Sequence, residues 1–142
     1  MPQLAADPIL VVADIHLGRK QHGDKKTGPG IDWALGTLNR GAEAGARHLV
    51  MLGDVIDRKR FTEATYGEVT RFFQCGVELF DTVVFIAGNH DVHHDLSGII
   101  PGGVIVARQE PQTIRAGGWA LHTAAVEVDR DPRRLVPEFP AP

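Results

Sequence analysis

Three short stretches of this chain hold side chains that can bind a metal or move a proton. They are Asp14 and His16 in "DIHLG", Asp54 and Asp57 in "GDVID", and Asn89, His90 and Asp91 in "GNHD". Each comes directly after an apolar run: "ILVVA", "HLVML" and "TVVFIA". Carboxylates packed together without a cation repel and raise one another's pKa, and a pair of divalent ions removes that cost. Oxygen and nitrogen donors with no thiolate favour Mn, Fe, Zn or Mg over soft metals. Asp54 is central and its carboxylate has two oxygens, which makes it the natural bridge. Two ions roughly 3.5–4 Å apart could share a hydroxide and clamp a phosphate oxygen.

Those groups must be brought together by the elements between them. The apolar runs predict strands over 9–13, 48–52 and 82–87, the first of them buried on both faces. A helix is expected over about 33–44, with Asp32 as its cap and Gly45 as its end. Trp33, Leu35, Leu38 and Ala42 form its apolar stripe. A second helix is expected over about 62–75, with Val69, Phe72 and Phe73 toward the core. Strands alternating with helices mean a parallel sheet with right-handed crossovers. The C-terminal ends of parallel strands share one edge, and ligands bind outside it. Three loops distant in sequence therefore converge. Further on, "GVIVA", "QTIRA" and "WALHTA" read as β rather than helix, and the chain becomes Pro-rich after Asp131. The expectation is α/β, one domain over 1–142.

Each motif alone has a plain structural explanation. An Asp after a strand often caps the next helix, and Asn and Asp favour turns. Three such motifs in this order, each at a strand end, are better explained by one shared site.

With those motifs in place, the chain resembles a calcineurin-type metallophosphoesterase, whose successive signatures are Asp-x-His-x-Gly, Gly-Asp-x-x-Asp and Gly-Asn-His-Asp or -Glu. The resemblance implies a four-layer α/β/β/α sandwich, here incomplete at its C-terminus, with two divalent ions, often manganese. By motif, Asp14 and His16 would bind one metal, Asp54 would bridge, and Asn89 would bind the second. His90 would stand beside the scissile phosphate and assist the leaving oxygen, with Asp57 orienting it. A carboxylate on one ring nitrogen does fix the tautomer and basicity of the other.

A narrower similarity, carried by "ADIHLGR", "GDVIDRKRFT" and the tail "LHTAAVEVDRDPRRLVPEFP", is to DNA repair nucleases of the SbcD/Mre type. It implies DNA as substrate, exonuclease or endonuclease activity, and an ATPase partner. The basic stretches "RKQHGDKK" and "DRKR" suit contacts to a phosphate backbone, and equally suit solvated loops. Two other readings stay open: a cytosolic small-molecule phosphatase or nucleotide phosphodiesterase, and a non-catalytic module that binds DNA or a partner.

The family's closing Gly-His-x-His signature is missing. His122, after "GWAL", is the last histidine of the sequence and a metal candidate by position. The chain is therefore expected to be the N-terminal portion of a longer enzyme. Its exposed β edge and apolar surface would invite a homodimer. His93 and His94 are expected to face solvent or substrate, and His22 and His48 to be structural or exposed.

Totals add little. The chain has 142 residues, 43% apolar and 23% charged, with a net charge of −3. That charge neither advertises nor excludes a nucleic-acid binder. A lone cysteine, Cys75, fits packing on a helix in a reducing cytoplasm. No apolar run approaches membrane-spanning length, and "MPQLAADP" lacks the features of a secretory signal.

Overall fold

The structure is a computed structural model that describes residues 5–18, 30–57, 62–128, 130–135, 137 and 139. In chain order it has β1 (Ile9–Val12), α1 (Gly30–Glu43), β2 (His48–Met51), α2 (Glu63–Leu79) and β3 (Thr82–Phe85). A 3-10 turn (Asp91–His93) is followed by β4 (Val104–Val106), β5 (Gln112–Ala116) and β6 (Trp119–Thr123).

The first four strands form one parallel sheet in the order β1-β2-β3-β4. Side chains alternate across it, as the pleat requires. Val12, Leu49, Met51, Val83 and Phe85 face the helices, where they meet Ala34, Leu38, Val69, Phe72 and Phe73 in one buried cluster. Phe73 packs edge-on against Phe85, ring centroids 5.2 Å apart at 88°. Truncating a phenylalanine so enclosed costs about 3–5 kcal/mol. Val50 and Val84 point to the opposite face and pack against Ala107 and Ile114.

That opposite face is covered by the antiparallel hairpin β5–β6, which pairs Gln112 with Thr123 and Ala116 with Trp119. Its two-residue turn, Gly117–Gly118, has φ of 53° and 88°, the left-handed backbone that suits a tight hairpin and that glycine adopts freely. The turn is tied to the chain ahead of β1. Asp7 N donates to Gly117 O at 2.8 Å, and Trp119 Nε1 donates to Asp7 O at 2.6 Å. Helices, parallel sheet and hairpin make three successive layers; the outer helix layer expected from the resemblance is not among the described residues.

Several expectations need correction. β1 is not buried on both faces: Val11 is 49% exposed, because β1 is an edge strand and the hairpin covers the β2 and β3 side. α1 starts at Gly30, so Asp32 lies in its first turn instead of capping it. The helix is rotated from the expected stripe, with Ala34 and Leu38 buried and Trp33 45% exposed. α2 runs on to Leu79, and its cap is Thr62, whose side chain accepts from Thr65 N at 3.2 Å. Gly45 does end the α1 turn, with φ 100° and its N–H on Ala42 O at 3.0 Å.

Candidate metal centre

The loops leaving β1 and β2 continue side by side past the sheet. Asp14 N donates to Gly53 O at 3.2 Å, His16 N to Asp54 O at 2.9 Å, Leu17 N to Val55 O at 2.7 Å, and Asp57 N back to Leu17 O at 3.0 Å. The buried Leu17 and Ile56 anchor this pairing beneath the polar residues. Asp14, His16 and Asp54 all have left-handed backbone, with φ of 54°, 49° and 51°. That region is uncommon for residues with a Cβ, and strain of this kind gathers at functional sites. Here it falls on three residues picked out as metal ligands.

The loop after β3 is locked to the loop after β2 by two carboxylates. Asp91 is 2% exposed, and its side chain accepts from Asp54 N at 2.7 Å, Gly88 N at 2.9 Å and Ile56 N at 3.2 Å. Asp54 answers by accepting His90 N at 3.0 Å through Oδ1. Burial pushes the Asp91 carboxyl above the ordinary range; the three N–H groups oppose that rise and the neighbouring Asp54 charge adds to it. The glycines of both motifs are needed for this approach. A Cβ on Gly53 would come within 2.5 Å of Gly88 N, and one on Gly88 within 2.5 Å of Asp54 Oδ1.

Two groups of candidate ligands result, sharing His16. Asp14, His16 and Asp54 form one and His16, Asp57 and His90 the other, the ligand atoms within each lying within 4.8 Å of one another. His16 Nε2 is 3.7 Å from Asp14 Oδ1. The His16 and His90 rings are 5.1 Å apart at 59°. Nδ1 of each ring is buried without a hydrogen-bond partner, although such atoms are normally satisfied. Carboxylates and imidazoles with unsatisfied nitrogens fit divalent ions of the harder kind. Asn89 lies against Asp54. With its carboxamide oriented to donate, the nitrogen is 3.1 Å from Oδ2 and 3.3 Å from Oδ1, and a half turn of the amide would offer its oxygen instead.

The structure thus brings together Asp14, His16, Asp54, Asp57, Asn89 and His90. Asp57 belongs to the second ligand group with His16 and His90, and it makes no hydrogen bond to His90 Nδ1. His122 is not brought in. It is exposed on β6, Nδ1 2.9 Å from Thr113 Oγ1, with its ring near Phe139. His48 is buried at the other end of β2, 3.2 Å from Asp7 Oδ2. The basic stretches 19–26 and 58–60, together with His22, lie outside the described residues. The part played by Asp91 was not foreseen. Its signal was the Gly88-to-Asp91 spacing, in which a side chain reaches back to a backbone N–H three residues earlier, as in a capping box.

Comparison with known proteins agrees with this geometry. The family model described as calcineurin-like phosphoesterase matches residues 7–122. No curated protein matches the sequence. Among solved structures, the Pseudomonas putida nuclease MPE is similar in fold, with a TM-score of 0.51 and 22% identity over 73% of this chain. The alignment spans 56% of the nuclease, so this chain corresponds to little more than half of that protein's length.

Proposed function

Because the chain belongs to the calcineurin-like phosphoesterase family, we propose that it takes part in metal-dependent hydrolysis of phosphodiester bonds in DNA, as a repair-type nuclease. The observation that carries this reading is the convergence of Asp14, His16, Asp54, Asn89 and His90 on loops that leave three strands. That the protein of similar fold is a nuclease favours a nucleic acid over small phosphoesters as substrate.

Divalent ions, manganese foremost, would supply a nucleophile from water at neutral pH and offset the charge on the phosphate. The chain's own residues do the rest. Asp14, His16 and Asp54 would hold one ion, with Asp54 available to both, and Asn89 would offer its carboxamide oxygen to the second. His90, fixed through its backbone N–H on Asp54, gives a proton to the leaving oxygen or stabilises its charge. Asp57 either orients His90 or joins it at an ion. An ATPase partner, self-association and a cytoplasmic setting belong to the same reading.

The test compares Mn²⁺-dependent turnover of single-stranded and duplex DNA, bis(p-nitrophenyl) phosphate and p-nitrophenyl phosphate, with chelator as control. The reading predicts DNA and diester cleavage that chelator abolishes. Preference for the monoester would make the protein a phosphatase. DNA binding without turnover of any substrate would make it a binding module.

A further inference from the structure

The same sheet edge carries a second feature, one strand further along. A pocket of about 580 Å³ lies beyond the ends of β3 and β4, between the loop after the 3-10 turn and the segment that follows β6. It meets the support of the candidate metal centre at one residue, Asp91. Asp91 lines it, while the carboxylate of that residue holds Asp54. Its floor and one wall are apolar, including Ile100, Val104 and Val106, and polar groups of Ser97, Gln109 and Glu127 stand among its lining. Val106 is 48% exposed.

The outer wall is a built structure. Val126 N donates to Ala87 O at 3.2 Å and Ala125 N to Arg108 O at 2.8 Å, tying this segment to the ends of β3 and β4. Arg133 clamps it from outside, donating to Ala125 O at 2.6 Å and to Gln109 O. Asp131 completes the clamp, accepting from Arg133 and, at 3.1 Å, from Glu127 N.

We propose that this pocket receives an unpaired nucleobase of the substrate, next to the phosphate held at the metal centre. The assignment rests on the phosphodiesterase reading above and narrows it. Each phosphate of a nucleic acid carries, one sugar away, a flat ring with apolar faces and hydrogen-bonding edges. Apolar walls with a few placed polar groups are what such a ring requires. A duplex does not fit, so the base must be unstacked and unpaired, as at a frayed or single-stranded end. The preferred substrate would be a strand end with its terminal base free.

The probe is 2′-deoxyadenosine, titrated into the ¹⁵N-labelled protein and read from the backbone amide signals, with inorganic phosphate as control. Saturable millimolar shifts at Ser97, Val106 and Gln109 are expected with the nucleoside and absent with phosphate. Val106→Trp and Ser97→Trp each place an indole on the pocket lining; either should abolish the shifts while other signals stay in place. Shifts elsewhere only, no shifts, or shifts unchanged in both variants would overturn the assignment. Mn²⁺-dependent turnover of bis(p-nitrophenyl) phosphate by the same preparation reports separately on the hydrolase reading. Turnover without nucleoside shifts removes the base pocket alone. Shifts without turnover remove the hydrolase reading, and the pocket's place in a catalytic site falls with it.

Discussion

Asp54 and Asp91, 37 positions apart, hold each other's loops. Asp91 takes the Asp54 backbone N–H at 2.7 Å, and Asp54 takes the backbone N–H of His90, the residue before Asp91, at 3.0 Å. One of these carboxylates is buried and fully engaged by the backbone; the other remains partly open to the site. The spacing between the second and third loops is therefore set by side chains, while the first and second loops are joined by backbone.

Replacing Asp91 by Ala should disturb the centre without touching a ligand. Three backbone N–H groups would lose their acceptor, at about 1–3 kcal/mol for each left buried and unpaired. Thermal unfolding should report the lost stability. Mn²⁺ affinity of the folded fraction should fall about 10–100-fold, as when the supports of metal ligands are removed. Unchanged affinity would mean that the loops keep their spacing without this brace.

Gly88→Ala should be nearly as damaging, for a steric reason. The new Cβ would meet Asp54 Oδ1 at 2.5 Å and Asp54 N at 2.8 Å. Backbone and carboxylate would both have to move, so Mn²⁺ binding should weaken while far-UV circular dichroism stays like that of the unaltered protein. Gly67→Ala, on α2 with nothing within 4 Å of the added carbon, should leave binding as it was.

For His90→Ala, turnover should drop about 10²–10⁴-fold, the range of a general acid, with Mn²⁺ still bound by Asp14, His16 and Asp54. Steady-state kinetics alongside a metal titration separate the two roles open to His90. Loss of an ion together with activity would make it a ligand with His16 and Asp57.

These sites were legible from sequence to different depths. The strand runs were plain because β2 and β3 are buried on both faces, which demands continuous apolar residues. β1 reads the same way although it is an edge strand, since composition does not say which neighbour is missing. The rotation of α1 also escaped: Trp33 is apolar yet faces outward, and the small Ala34 takes the buried place. At the site, types and spacing identified the six residues that converge. His122 was a candidate by position only, and the register of β6 places it outward on Thr113. The exchange between Asp54 and Asp91 depends on three-dimensional approach, which no local pattern carries.

The clamp on the pocket wall has a pH signature. Its hydrogen bonds from Arg133 hold the Asp131 carboxyl well below the usual carboxylate range. A lowered folded-state pKa means that the stability from this pair is present above the ordinary Asp value and is lost as pH falls through the lowered one. The ¹³C carboxyl signal of Asp131 should therefore stay that of an anion in acid that protonates ordinary aspartates. In Arg133→Ala its midpoint should return to the ordinary range; a midpoint already ordinary in the unaltered protein would contradict the clamp.

The most direct test of the whole account is calorimetric titration of the metal-free protein with Mn²⁺, run beside Asp54→Asn and His122→Ala. The account predicts saturable binding to the unaltered chain, the same binding in His122→Ala, and its loss in Asp54→Asn. No binding by the unaltered chain, or binding that survives Asp54→Asn undiminished, would contradict the claim that these three loops form a metal centre.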